Sequence, residues 1–357
     1  MSGYGMGRGA GGYPAELRRE LALRNRRWAR GRLHVESYGS DPVIVYAPEY
    51  PTHEDGHAGT PCGNGRHGNF FDPAYAAIGA RPGWMRRLQK AHTGRRSLPG
   101  AERPWCELDS STSSDALLMN VFCTPGVLES PLVKSSMGVD NPADAMFGWK
   151  ARVPLKNGRT DTTEVDLCWG SLLIEAKLTE ADFQTKPASV VEGYRDFEDV
   201  FAPHLLPRVE LRTARRRAPA EFAEAYTQEW EPTEGSPDPE VEAAAREYRA
   251  AMAEQAWIRI PSAPGYAGYQ LIRNVLAAYR HACSFCVIHD ARRPDLREQW
   301  FAVMAAVKSA DLRVRLKVMT WQELAALLPD ALQQFLDLKY GIVEPEKIAS
   351  RFEDEER

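Results

Sequence analysis

No run of about 18 apolar residues occurs in the 357-residue chain, which excludes the commonest form of membrane-spanning helix. Residues 1–14 are Gly-rich and polar and hold no apolar stretch of signal-peptide type, so the expected setting is cytoplasmic. Cysteine is sparse. Cys62, Cys106, Cys123, Cys168, Cys283 and Cys286 are scattered along a large chain, which predicts reduced thiols rather than a disulfide framework. Cys283-Ser284-Phe285-Cys286 has no second CxxC at zinc-ribbon spacing, and a strand there sends its two sulfurs to opposite faces. His53, His57, Cys62 and His67 crowd an irregular segment that reads as a solvated loop before it reads as a zinc site. A Gly-rich loop of the Walker type is missing, which argues against ATP use. Nothing local supports a Ser–His triad. Excess positive charge is also missing: 45 Lys and Arg stand against 49 Asp and Glu, so a nucleic-acid surface has to be a local patch.

What is present has the make-up of a soluble globular protein, at 43% hydrophobic and 26% charged residues, and is long enough to bury a sizeable core. Its charge is uneven. The first hundred residues hold fifteen Lys and Arg against eight Asp and Glu. A helix predicted from Pro14 to about Arg32 carries Arg18, Arg19, Arg24, Arg26, Arg27, Arg30 and Arg32 around a thin stripe of Leu17, Leu21 and Leu23. Residues 40–66 read as irregular, and a helix from Pro73 to His92 adds Arg86, Arg87 and Lys90.

The organisation that follows is a flexible tail (1–14), a basic N-terminal extension (15–105), a core (106–345) and an acidic tail (346–357). In the core, helix Asp115–Phe122 precedes strands near Lys150–Leu155, Thr162–Cys168 and Ser171–Lys177, then a helix Ala188–Phe201. Residues 213–256 read as an insertion that begins at Arg215-Arg216-Arg217 and ends in a helix, Val241–Gln255. A helix Gly268–His281, strand Ser284–His289, helix Leu296–Ser309, strand Arg313–Met319 and helices Trp321–Leu328 and Pro329–Tyr340 complete it. Strands embedded among helices predict an α/β fold, a mixed central sheet covered on both faces.

The informative stretch is Thr162 to Lys177. A strand sends alternate side chains to opposite faces. On this pattern Glu164 and Asp166 share one face of the first strand, with Val165 and Leu167 on the other. Glu175 and Lys177 share a face of the second with Leu173, while Leu172, Ile174 and Ala176 present an apolar reverse side to a helix. The tight Trp169-Gly170 link makes the two strands antiparallel neighbours. Carboxylates and one ammonium then converge at one end of a sheet. Mutual repulsion of such carboxylates is costly unless a cation sits among them. Hard oxygen ligands favour Mg²⁺ or Mn²⁺ over zinc. A lysine two residues from a ligand carboxylate orients and helps to deprotonate a metal-bound water, and stabilises charge developing on a phosphate. The plain alternative is a salt-bridged edge strand.

Asp166, followed by Glu175-Ala176-Lys177, resembles the PD-(D/E)xK phosphodiesterase superfamily of restriction and repair nucleases. The resemblance implies a restriction-endonuclease-like fold with Asp166, Glu175 and the main-chain carbonyl of Ala176 as metal ligands and Lys177 as the lysine. Many members add an acid from the preceding helix, which here offers Asp115, with Asn120 as an alternative. Glu164 has no fixed counterpart and is a candidate second-metal or outer ligand. Gln270, Arg273 and Asn274 lie at i, i+3 and i+4 on one helix face. Several nuclease subfamilies place a Gln, Lys or Arg there, which makes Gln270 and Arg273 candidates near the scissile phosphate.

A narrower likeness rests on His67-Gly68-Asn69-Phe70, Ser113-Ser114-Asp115-Ala116-Leu117, Ile174-Glu175-Ala176-Lys177-Leu178-Thr179-Glu180 and Tyr269-Gln270-Leu271-Ile272-Arg273-Asn274. Thr320-Trp321-Gln322-Glu323-Leu324 and Lys339-Tyr340-Gly341-Ile342 fit as well. Together they are similar to a bacterial family of restriction-endonuclease-like proteins from about Arg66 to Ile342. The activity implied is Mg²⁺- or Mn²⁺-dependent cleavage of DNA, by an endonuclease first, leaving 5′-phosphate and 3′-hydroxyl ends, in defence or repair. Arg26, Arg27, Arg30, Arg86, Arg87, Arg215, Arg216 and Arg273 are the expected phosphate contacts. The partner is nucleic acid, with a homodimer as one arrangement. A non-catalytic nucleic-acid-binding or protein-interaction module on the same fold is the rival reading.

Overall fold

The near-continuous apolar runs at Leu172–Ala176 and Phe285–Ile288 form adjacent parallel strands, buried on both faces as such runs require. The computed structural model describes residues 12–29, 34–38, 41–45, 67–91, 106–140, 144–211, 215–217, 257–259 and 263–342. In chain order its elements begin with α1 (Gly12–Ala29), β1 (His34–Tyr38), β2 (Asp41–Val45), α2 (Asp72–Gly79), α3 (Pro82–Leu88), α4 (Ser114–Phe122) and α5 (Pro131–Met137). There follow β3 (Ala145–Lys150), β4 (Val153–Pro154), β5 (Thr160–Asp161), β6 (Glu164–Trp169), β7 (Leu172–Ala176), β8 (Thr185–Pro187), α6 (Ala188–Val191), α7 (Phe197–Val200) and β9 (Arg208–Leu211). The remainder are β10 (Arg215–Arg217), β11 (Trp257–Arg259), β12 (Ala263–Ala267), α8 (Tyr269–Arg280), β13 (Ser284–His289), α9 (Pro294–Met304), α10 (Ala310–Arg313), β14 (Leu316–Thr320), α11 (Trp321–Ala325) and α12 (Asp330–Tyr340).

The central sheet has five strands in the order β14-β13-β7-β6-β3. β14, β13 and β7 run parallel, and β6 and β3 are antiparallel to their neighbours. Two apolar clusters cover its faces. One joins Leu172, Ile174 and Ala176 to α4, α11 and α12, and also takes in Leu17, Leu21, Tyr75, Ile78 and Trp84 from the N-terminal helices. The other joins Leu173, Phe285 and Val287 to α8 and α9. The mixed α/β sheet flanked by helices is therefore the architecture that the strand pattern predicts, and it is restriction-endonuclease-like. α4 shows how the sequence starts an element: Ser113 Oγ accepts the N–H of Ala116, and every residue of the helix is buried.

Several boundaries differ from expectation. The helix read as Pro73–His92 is two helices, because Pro82 has no N–H and holds Arg81 extended at φ −125°, ψ 105°. The helix read as Ala188–Phe201 breaks into α6 and α7 where main-chain groups bond β4 instead: Arg195 donates to Pro154. The strand read as Lys150–Leu155 lies earlier, at β3, and Arg152 turns at φ 50° before β4. Within the segment 40–66, Asp41–Val45 is a strand paired with β1. The tails at 1–11 and 346–357, Arg30, Cys62 and the insertion apart from β10 lie outside the described residues. No helix among the described residues is long and apolar enough to cross a membrane.

Candidate active site

β6 and β7 are joined through Gly170, which turns at φ 58°, and pair over Trp169↔Leu172, Cys168↔Leu173 and Leu167↔Ile174. Beyond these pairs the strands part. β6 continues beside β3 through Val165 and Glu164, and β7 continues beside β13 through Glu175 and Ala176. A fork opens in the middle of the sheet, and its prongs carry Asp166 and Glu175. At its base Asp166 Oδ2 accepts the main-chain N–H of Ala176 at 2.8 Å, replacing the ladder bond that the parting strands lose.

The inward turn of Asp166 breaks the alternation that the sequence suggests. Val165 packs with Leu173 in one cluster, whereas Leu167 packs with Ile174 in the other. Glu164 consequently meets α3, and it does not share the face of Glu175 and Lys177. Its Oε2 accepts Arg87 Nη1 at 2.6 Å and lies 3.4 Å from Lys90 Nζ.

Glu175 and Lys177 are buried, at 1% and 5% exposure. Lys177 Nζ donates to Glu175 Oε1 at 2.8 Å, and Asn274 Nδ2 donates to Glu175 Oε2 at 2.8 Å. Burial pushes the Glu175 carboxyl up, but Lys177, Arg273 and the two hydrogen bonds outweigh it and hold it below the usual carboxylate range. Burial likewise pulls Lys177 down, and Glu175, Glu180 and Asp166 reverse the effect, so the ammonium stays charged. Asp166 moves the other way. Burial, then the charges of Glu175 and Asp115, push it well above the ordinary carboxylate value. Asp115, in the first turn of α4, accepts Arg87 Nη2 on its Oδ2 at 2.6 Å. Asn120, the alternative to Asp115, is occupied elsewhere: it accepts the N–H of Phe71 and donates to the carbonyls of Asn69 and Ala116.

Asp115, Asp166 and Glu175 thus influence one another from three elements, and the donors are hard oxygens with no thiolate or imidazole among them. In kind they fit Mg²⁺ or Mn²⁺. Among the described residues no three His, Cys, Asp or Glu side chains are drawn together tightly enough to enclose an ion. Arg87 and Lys177 hold Asp115 and Glu175 in ion pairs instead.

A family model described as Restriction Endonuclease associating with ARP matches residues 27–341. The chain belongs to this restriction-endonuclease family. Comparisons with curated proteins and with solved structures give no match.

The family match runs through all the site elements from α2 to α12. Gln270 is part-exposed in the first turn of α8, and its main-chain N–H donates to Phe183 O at 3.0 Å. Asn274 lies one turn further along the same helix. Arg26, Arg27 and Arg86 are exposed, while the side chains of Arg215 and Arg216 and all of Arg30 lie outside the described residues. Arg87 and Arg273, both expected as phosphate contacts, lie inside the protein. They are 7% and 2% exposed, because buried carboxylates and carbonyls hold them. Arg273 Nη2 donates to Glu164 O at 2.8 Å and Asn274 Oδ1 at 2.8 Å, and stands 3.9 Å from Glu175 Oε2.

Three supports were missed by reasoning on strand faces. Glu180 accepts from Ser114 Oγ and from the Leu178 N–H at 2.7 Å, tying α4 to the end of β7. Trp321 Nε1 donates to Lys177 O at 3.0 Å. His67, read as part of a solvated loop, is buried. Its Nδ1 accepts the Asn69 N–H at 3.1 Å, so Nε2 carries the proton toward Asp109 at 3.2 Å, and neither nitrogen is free for zinc. The motif Glu175-Ala176-Lys177-Leu178-Thr179-Glu180 was the one signal for Glu180. Cys286 and Cys283 pack in opposite clusters, as the strand predicts.

Proposed function

We propose that the chain is a divalent-metal-dependent nuclease that hydrolyses phosphodiester bonds in DNA, in defence or repair. The fork between β6 and β7 supports this reading best, because it gathers Asp166, Glu175 and the charged Lys177 where two strands part. Asp166, Glu175 and the Ala176 carbonyl would hold Mg²⁺ or Mn²⁺, with Asp115 adding the oxygen that does not meet Arg87. The metal, when bound, supplies an activated water and neutralises charge on the phosphate.

The protein's own residues set up the rest. Lys177, held as an ammonium by Glu175, Glu180 and Asp166, would orient the attacking water and stabilise negative charge. Asn274 and Arg273 fix the Glu175 carboxylate from behind. Gln270, in the first turn of α8 and one turn before Asn274, would be the polar side chain nearest the scissile phosphate. Exposed Arg26, Arg27 and Arg86 would supply contacts to a polyanion backbone. Association with ARP, which the family description names, belongs to the same proposal for this chain.

The test is incubation of the full chain with circular DNA, linear DNA and RNA, in Mg²⁺, Mn²⁺ or EDTA, beside Asp166→Asn and Lys177→Ala. Divalent-dependent cutting of DNA that both variants lose is expected. Undiminished cutting by both variants sinks the assignment. The ion-paired state of Asp115 and Glu175 favours one second reading, a non-catalytic nucleic-acid-binding module. DNA binding in EDTA with no cleavage under either metal decides for it.

A further inference from the structure

Arg87 reaches the site from α3 and lies between two carboxylates of different elements. Nη2 meets Asp115 of α4 and Nη1 meets Glu164 of β6, each at 2.6 Å, and the side chain is 7% exposed. β3 is shaped to admit it. Gly148 sits at φ 64°, and a Cβ there would stand 2.6 Å from Arg87 Nη1 and 3.3 Å from Glu164 Oε2. A guanidinium is always charged and presents a rigid fork of donors, so it bridges two carboxylates as a fixed ion does.

Lys90 adds to the hold on the outer carboxylate: its Nζ lies 3.4 Å from Glu164 Oε2 and 2.9 Å from Glu107 Oε2. Two-metal sites need carboxylates that hold ions about 3.5–4 Å apart. Here Asp115 Oδ2 and Glu164 Oε2 are already engaged by Arg87.

We propose that the Arg87 guanidinium takes the place of a second divalent cation, so that the site binds one metal ion per chain. The inference rests on the nuclease reading above and specifies its metal count.

The test is calorimetric titration of the full chain with Mn²⁺, with electron paramagnetic resonance of the loaded protein. One equivalent and an uncoupled Mn²⁺ spectrum are expected for the wild type and for Arg87→Lys. Arg87→Met frees Asp115 Oδ2 and leaves Glu164 with Lys90 alone, and it is expected to take up two equivalents with an exchange-coupled spectrum. Glu164→Gln is expected to keep one equivalent, and serves if Arg87→Met does not fold. Two equivalents in the wild type, loss of an equivalent in Glu164→Gln, or one equivalent in folded Arg87→Met overturns the metal count and leaves the nuclease reading standing. No Mn²⁺ uptake by the wild type overturns both.

Discussion

Asn274 donates its side-chain N–H to Glu175 Oε2 at 2.8 Å, while Lys177 takes the other oxygen of the same carboxylate at 2.8 Å. Both donors are buried, so the Glu175 carboxylate is satisfied on two sides by groups that water does not replace. Asn274→Leu leaves Oε2 short of a donor in a dry place. The expected cost is about 1–3 kcal/mol in chemical denaturation, the usual range for a buried polar group left unmade. An unchanged midpoint would mean that Arg273, 3.9 Å away, moves in to replace the lost bond.

Asp166 has two duties that substitution separates. Its Oδ2 accepts the Ala176 N–H, and its charge opposes those of Glu175 and Asp115. Asp166→Asn keeps an acceptor for Ala176 and removes the repelling charge. Without metal this variant is expected to melt higher than the wild type, by roughly 1–2 °C for about 1 kcal/mol of relief in a chain of this length. With Mn²⁺ the wild type is expected to rise in melting temperature and the variant to stay level. Asp166→Ala, which loses the acceptor as well, is expected to melt below Asp166→Asn. The same order with and without metal would show that the carboxylate is structural only.

The sheet was legible because its strands are apolar in runs that helices do not imitate, as in Leu172–Ala176. The trio Asp166, Glu175 and Lys177 was legible because the spacing across a tight turn fixes where a strand pair ends. Strict alternation failed at Val165. A side chain that replaces a main-chain bond shifts the faces, and no period in the sequence records it. Arg87 was read as a surface cation because composition counts charges without their partners. Its partners, Asp115 and Glu164, are distant in sequence and meet it only after α3 packs beside β3. The divided helix at Pro82 carried its signal openly in the proline, which the helical periodicity on either side obscured.

His289 ends β13, one residue beyond Ile288, whose carbonyl accepts the Lys177 N–H at 2.8 Å. Its Nδ1 meets Asp290 O at 2.8 Å and therefore carries the proton, and its Nε2 is buried with no partner among the described residues. Burial pulls its pKa below the ordinary 6.5. The folded state then binds fewer protons than the unfolded one, so stability rises with pH. The contribution is complete above about pH 6.5 and is lost as pH falls toward the folded value, at up to about 1.4 kcal/mol per pH unit. His289→Phe is expected to flatten the stability profile between pH 7 and 5. Parallel profiles for the two proteins would show that the ring is charged in the folded state.

Lys339 is fully buried where α12 meets α1, with Asn25 Oδ1 as its hydrogen-bond acceptor and the Tyr340 ring 5.1 Å away. Among the described residues no carboxylate forms a salt bridge with it, and burial pushes its pKa well below the ordinary 10.5. The unfolded chain binds a proton there that the folded chain resists. Stability therefore rises with pH through the window from the folded value up to about 10.5, and the full penalty applies below that window. Lys339→Met keeps the length of the chain and removes the amine. It is expected to stabilise the protein at neutral pH by on the order of 1–3 kcal/mol, since an apolar replacement relieves the desolvation of a buried cation. The gain is expected to shrink as pH climbs through this window, since the wild-type amine is neutral in both states only above about pH 10.5. A variant that melts lower at pH 7 would show that the bond to Asn25, which joins α1 to α12, outweighs the cost of burying the amine.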